Sequence, residues 1–223
     1  MKVALLLAIA ACSDIDAQPN YGETVAAAQQ RMHERFKALG RAEQAVVTSD
    51  VGRVHAEAQT LMSLEEPDVL AKWKPFFEAV RDAARPLAEA KDPIAAGKLV
   101  AEVGRRCANC HEATKARIPL EQLAEPKPDQ HLATQMIRHQ WAATRMWEGL
   151  IAPSQDRWNE GARMLAEAPL TITAESSQLG IENDVAKVRL LARRALDPKT
   201  DRPQVYGELL ATCAHCHAVI RDR

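Results

Sequence analysis

Apolar positions along this chain recur every three or four residues, the period of amphipathic helices, and no stretch of alternating β-branched residues predicts a strand. From Tyr21 to about Ser49, the residues Val25, Ala28, Met32, Phe36, Leu39 and Val46 mark one helix face. Ser49-Asp50 predicts the cap of a second helix, whose stripe of Val51, Val54, Ala58 and Leu61 is ended by Glu65-Glu66-Pro67. A third stretch carries Trp73, Phe76, Phe77, Val80, Ala84 and Leu87, with Pro75 and Pro86 placed to start, kink or divide it. Asp92-Pro93 reads as the cap and first residue of a fourth helix, running through Val100, Val103, Cys107 and His111 to about Ile118.

The same series then repeats. Residues 119–128 hold Pro119, Pro126 and Pro128 among charges and predict a linker. Asp129 caps a helix with Leu132, Met136, Ala143, Trp147 and Leu150, which Pro153 stops and Ser154 recaps. A shorter helix with Trp158, Ala162 and Leu165 follows, then a loop through Pro169 and a helix with Val185, Val188, Leu191 and Ala195. The last helix opens near Pro203 and places Tyr206, Leu210, Cys213, His217 and Ile220 on one stripe. The expected fold is all-α, with two tandem four-helix bundles over residues 21–118 and 129–223, neither needing the other to form its helices.

Composition supports helices, being rich in Ala, Leu, Glu, Arg and Gln with only 9 Gly in 223 residues. The 29 Lys and Arg against 30 Asp and Glu leave no basic excess of the kind a nucleic-acid partner requires.

The chemistry lies in a pentapeptide that occurs twice, Cys107-Ala108-Asn109-Cys110-His111 and Cys213-Ala214-His215-Cys216-His217. Cys-X-X-Cys-His is the attachment pattern for c-type haem, in which two thiols bond the porphyrin and the adjoining imidazole ligates the iron. On a helix, residues three and four apart share a face, so all three groups can converge on one flat ring. The pairs would also suit thiol–disulfide exchange or zinc. A redox pair, however, does not need the following His, and a zinc site would pool ligands from both copies. Two covalently attached haems are therefore expected, held by Cys107 and Cys110 and by Cys213 and Cys216, with His111 and His217 on the irons.

After His217 only six residues remain, so the second motif ends its domain. In this the chain resembles the class II cytochromes c, four-helix bundles of the cytochrome c-prime type that carry the motif on the last helix, and the resemblance covers both halves. It implies a basic residue four positions beyond each haem His, here Lys115 and Arg221, set to meet a haem propionate. The run Met136 to Trp141 with Trp147 to Leu150 looks like dihaem relatives within that superfamily. In class II folds the distal face of the haem meets the first helix. A methionine there gives a six-coordinate electron carrier, and an apolar residue gives an open iron that binds small gases. Met32 and Met136 lie on the inward stripes of their first helices, 75 and 77 residues before their first haem cysteine, and are the expected distal ligands. His139 competes with Met136, but its counterpart is Arg35.

The fifth cysteine, Cys12, follows Met1-Lys2, an apolar run from Val3 to Ala8 and Ile9-Ala10-Ala11. That run is too short to span a membrane and resembles a bacterial lipoprotein signal, residues 1–11, with Cys12 as the acylated first residue and residues 12–20 as a tether. Ser13 after the cysteine points to the outer membrane by resemblance to known sorting rules. The expected protein is an exported, periplasmic dihaem carrier, not an enzyme, which exchanges electrons with redox partner proteins and meets the membrane surface through its lipid. The competing expectation is a gas-binding protein with five-coordinate haem.

Overall fold

The computed structural model describes residues 21–65, 70–129, 131–167 and 180–221. The expected signal, Cys12, the tether, the Pro67 stop and the Pro169 loop lie outside them. The described residues contain eight α-helices and no strand: α1 (Tyr21–Val47), α2 (Val51–Ser63), α3 (Lys74–Leu87), α4 (Pro93–Thr114), α5 (Leu132–Ile151), α6 (Gln155–Glu167), α7 (Glu182–Ala195) and α8 (Arg202–Arg221). None of these helices is long and apolar enough to cross a membrane.

The helix boundaries follow local chemistry. Asp50 accepts from Arg53 N at 2.9 Å to cap α2, and Asp92 accepts from Ala95 N at 2.8 Å to cap α4, with Pro93 pre-set for the first turn. Pro75 sits in the first turn of α3 and Pro86 near its end, where few backbone bonds are lost. Helix α4 stops at Thr114, short of the expected Ile118, because Lys115 turns left-handed (φ 53°) and Ala116 N–H returns to His111 O at 2.9 Å. Ser49 makes the same turn after α1 (φ 59°), with Asp50 N–H returning to Ala45 O at 2.8 Å.

Within each half, consecutive helices pack on one another and the first helix meets the last. The halves also repeat a hydrogen bond. His55 Nε2 on α2 reaches Ala90 O just past α3 at 2.7 Å, and Trp158 Nε1 on α6 reaches Ala195 O at the end of α7 at 2.8 Å. The most extensive pairing among the described helices, however, joins the halves and sets α4 against α8. A Cβ on Gly97 would lie 3.1 Å from Gly207 O, and Arg105 forks onto Asp201 at 2.9 Å, so the two helices run antiparallel. One apolar core passes through this contact, from Leu39, Val54 and Leu87 through Val100 and Val103 to Trp147, Tyr206 and Leu210. The linker is also packed: Trp141 Nε1 donates to Leu123 O at 3.4 Å, and the fully buried Arg145 donates to Glu121 O at 3.1 Å and Glu148 at 2.6 Å.

The first stripe departs from expectation at two places. Phe36 is 46% exposed, whereas Arg35 is 3% exposed, its guanidinium donating to Leu64 O at 2.9 Å and lying 4.9 Å from the centre of the Phe77 ring. A cation–π contact and a carbonyl stabilise the buried charge, and the stripe is displaced by one residue to admit it.

Glycine substitutions separate helix propensity from packing. Nothing lies within 4 Å of a Cβ at Gly40 in α1, so Gly40→Ala should stabilise the fold by about 0.5–1 kcal/mol. At Gly207 the Cβ would meet Lys98 Cα at 2.8 Å, so Gly207→Ala should cost about 1–3 kcal/mol. Urea unfolding of the two variants would give the same sign for both if the α4–α8 approach were not this close.

Candidate functional site

Each pentapeptide lies in the C-terminal half of its helix, Cys107 to His111 on α4 and Cys213 to His217 on α8. The antiparallel register sends them to opposite ends of the helix pair, about 20–30 Å apart at 1.5 Å per residue. Their ligands are not pooled, and no group of three or more His, Cys, Asp or Glu among the described residues is arranged to hold a metal ion. Zinc shared between the copies is therefore not what this geometry provides.

All four thiols are unpaired, with Cys110 buried and Cys107, Cys213 and Cys216 partly so. Burial pushes Cys107 up to about 12, a rise that Arg35 beside it only partly opposes, and pushes Cys213 up to about 12. A thiol–disulfide catalyst needs the reverse, a thiolate favoured by a helix N-terminus or a cation. These sulfurs sit at the negative end of their helices. What the arrangement offers is protonated, apolar-packed thiols with an imidazole beside them.

Both imidazoles are oriented in the same way. His111 Nδ1 lies 2.7 Å from Ile151 O, and His217 Nδ1 lies 3.2 Å from Val47 O. A carbonyl can only accept, so each Nδ1 carries the proton and each Nε2 is left with a lone pair for a metal. Burial lowers the pKa of His111, which keeps it in the neutral, ligating form. These residues fit the haem that the motif calls for: two thiols and one Nε2 on one helix face, twice.

The methionines expected on the irons lie on the first helix of each half, Met32 on α1 and Met136 on α5. Arg35 on α1 is close enough to Cys107 to act on its thiol, and Met32 lies three residues before it, partly buried. Two side chains of α8 reach carbonyls of α5, Arg202 to Gly149 O at 3.2 Å and Tyr206 to Ala143 O at 3.2 Å. Met136 and His139 are both partly buried. Of the other histidines, His33 and His131 are exposed, and His215 pairs with Asp184 at 2.9 Å. Lys115 is exposed and closes α4, and Arg221 donates to Thr48 O at 2.8 Å.

One polar group escaped the sequence reading. Glu43 on α1 accepts from the hydroxyl of the fully buried Tyr206 on α8, whose oxygen also lies 3.2 Å from Ala143 O on α5 and whose ring stacks on Trp147 at 5.4 Å. Burial holds the Glu43 carboxyl up at about 7 although the Tyr206 hydrogen bond pulls it down, and its charge acts on Cys213. The available signal was an acidic residue flanked by Leu39, Ala42 and Val46. Compared with protein-family models, curated proteins and solved structures, the chain matches none.

Glu43 makes stability depend on pH. Its folded pKa lies above the ordinary value of 4.5, so between pH 4.5 and about 7 the native state holds a proton that the unfolded chain has lost. Its contribution is present in full below 4.5 and declines as pH rises through that window, by up to about 1.4 kcal/mol per pH unit. Glu43→Gln should flatten this decline when unfolding free energy is measured from pH 4.5 to 7. An unchanged slope would mean that the carboxylate is ionised in the folded protein.

Proposed function

We propose that this chain is a dihaem electron carrier of the class II cytochrome c type, built as two tandem four-helix bundles that carry a haem each and are tethered to a membrane through Cys12. The observation that carries this reading is the matched pair of Nδ1–carbonyl bonds, which presents His111 Nε2 and His217 Nε2 as ligands beside free thiols at both copies of the motif. Haem supplies a one-electron iron couple when bound. Cys107 with Cys110 and Cys213 with Cys216 would hold it, with Met32 as the distal ligand of the first iron and Met136 of the second. Thioether ligation raises the potential, and a fixed ligand pair lets the oxidation state change without loss of a ligand. The bundle supplies burial and orientation, and unidentified redox proteins are the partners. Export as a lipoprotein follows the resemblance of residues 1–12 to such signals. Several acyl chains, at about 0.8 kcal/mol per buried CH₂, would keep the protein on a membrane surface.

Two measurements test the ligands and the anchor. Met32→Leu or Met136→Leu preserves volume and apolarity, so the fold should lose less than about 1.5 kcal/mol. The affected haem should turn high-spin and bind carbon monoxide while the other stays unchanged. Two five-coordinate haems in the unmutated protein would favour gas binding instead, and opening of the second iron by His139→Leu rather than Met136→Leu would make it a bis-histidine site. For the anchor, Cys12→Ala should move mature protein from the membrane to the soluble periplasmic fraction, and a wild-type protein already soluble after export would end the lipoprotein reading.

A further inference from the structure

Each imidazole finds its acceptor in the opposite half of the chain. His111 belongs to the first half, and its acceptor, Ile151 O, closes the first helix of the second half. His217 belongs to the second half, and its acceptor, Val47 O, closes the first helix of the first half. The acceptors are equivalent positions: Val47 and Ile151 stand 104 residues apart, as do Met32 and Met136. Both carbonyls lie in the last turn of their helices, where no later backbone N–H is available. The turn after α1 uses the carbonyls of Gln44, Ala45 and Val46, and the turn after α5 uses those of Glu148 and Gly149. Each also carries the negative end of a helix dipole, 27 residues long for α1 and 20 for α5.

From this geometry we infer that Val47 O and Ile151 O are positioning groups supplied across the interface, each fixing the tautomer, orientation and basicity of the iron ligand in the other half. The inference rests on the dihaem reading. An Nδ1–H donated to a helix C-terminus makes Nε2 more electron-rich, which favours the ferric state and lowers the potential. A half separated from its partner keeps its motif but loses this acceptor. Contacts of α1 with α8 and of α4 with α5 bring each acceptor to its imidazole, and Arg221 on Thr48 O adds a second bond between the halves beside His217.

The test uses the full-length, haem-loaded chain. Proline drives the residue before it out of the helical region and so swings that residue's carbonyl away. Thr48→Pro should displace Val47 O, and Ala152→Pro should displace Ile151 O. Background variants lacking one cysteine pair assign each signal to its haem. Thr48→Pro, a change in the first half, should raise the potential of the haem at Cys213–Cys216 and remove the slowly exchanging, hyperfine-shifted Nδ1 proton of His217, leaving the other haem unchanged. Ala152→Pro should do the converse. The helical circular dichroism signal and the covalent haem content should stay at wild-type levels. Should either proline variant misfold, Gly207→Val, which forces α4 and α8 apart, provides the second measurement and should raise both potentials together. An effect confined to the haem of the mutated half, or none at either haem, overturns the inference while leaving the dihaem reading intact. Failure of the wild-type chain to take up haem covalently overturns both.

Discussion

The close approach of α4 and α8 is the constraint on which the rest of the molecule depends. With Gly97 and Gly207 at the crossing, backbone meets backbone, and the core that begins under α2 and α3 continues without a break to α6 and α7. Any larger residue there would widen a gap that Leu210, Val100 and Tyr206 fill. The same antiparallel crossing sets the two motifs at opposite ends, so each is flanked by the first helices of both halves.

Several polar groups at this interface are paired across it. Val47 O and Ile151 O, which end α1 and α5, and Thr48 O just past α1 meet side chains from the other half. Tyr206 does the same from α8, reaching both Glu43 and Ala143 O. Sliding α8 by one residue would leave several of these groups buried and unpaired at once, which makes the register specific as well as stable.

The helices and the motif were legible because their signals are local. Asp50 and Asp92 cap the helices they were expected to cap, and the stripes from Val54 to Leu61 and from Val185 to Ala195 face the core. A stripe states which side is inside but not which helix covers it, so the pairing of α4 with α8 had no signature, and the spacing of the repeats suggested two separate units. The acceptors for His111 and His217 were invisible for a different reason, since a backbone carbonyl is the same at every residue. Nothing in the sequence marks Arg35 for burial, yet a carbonyl and an aromatic ring hold its guanidinium inside. The end of α4 was misplaced because Lys115 takes a left-handed conformation more usual for glycine.

The interface resembles that of a symmetric dimer, but a single chain is not bound by a dimer's rule that whatever faces one site must face both. Glu43 and Tyr206 illustrate the freedom. Stepping by the same offsets as the helices that carry them, 104 and 106 residues, their counterparts are Trp147 and Val100. A buried acid with its hydroxyl donor thus stands near Cys213, where the other half has an indole and an isopropyl group. The two copies of the pentapeptide therefore stand in different electrostatic surroundings, a carboxyl and a phenol beside one and apolar groups beside the other.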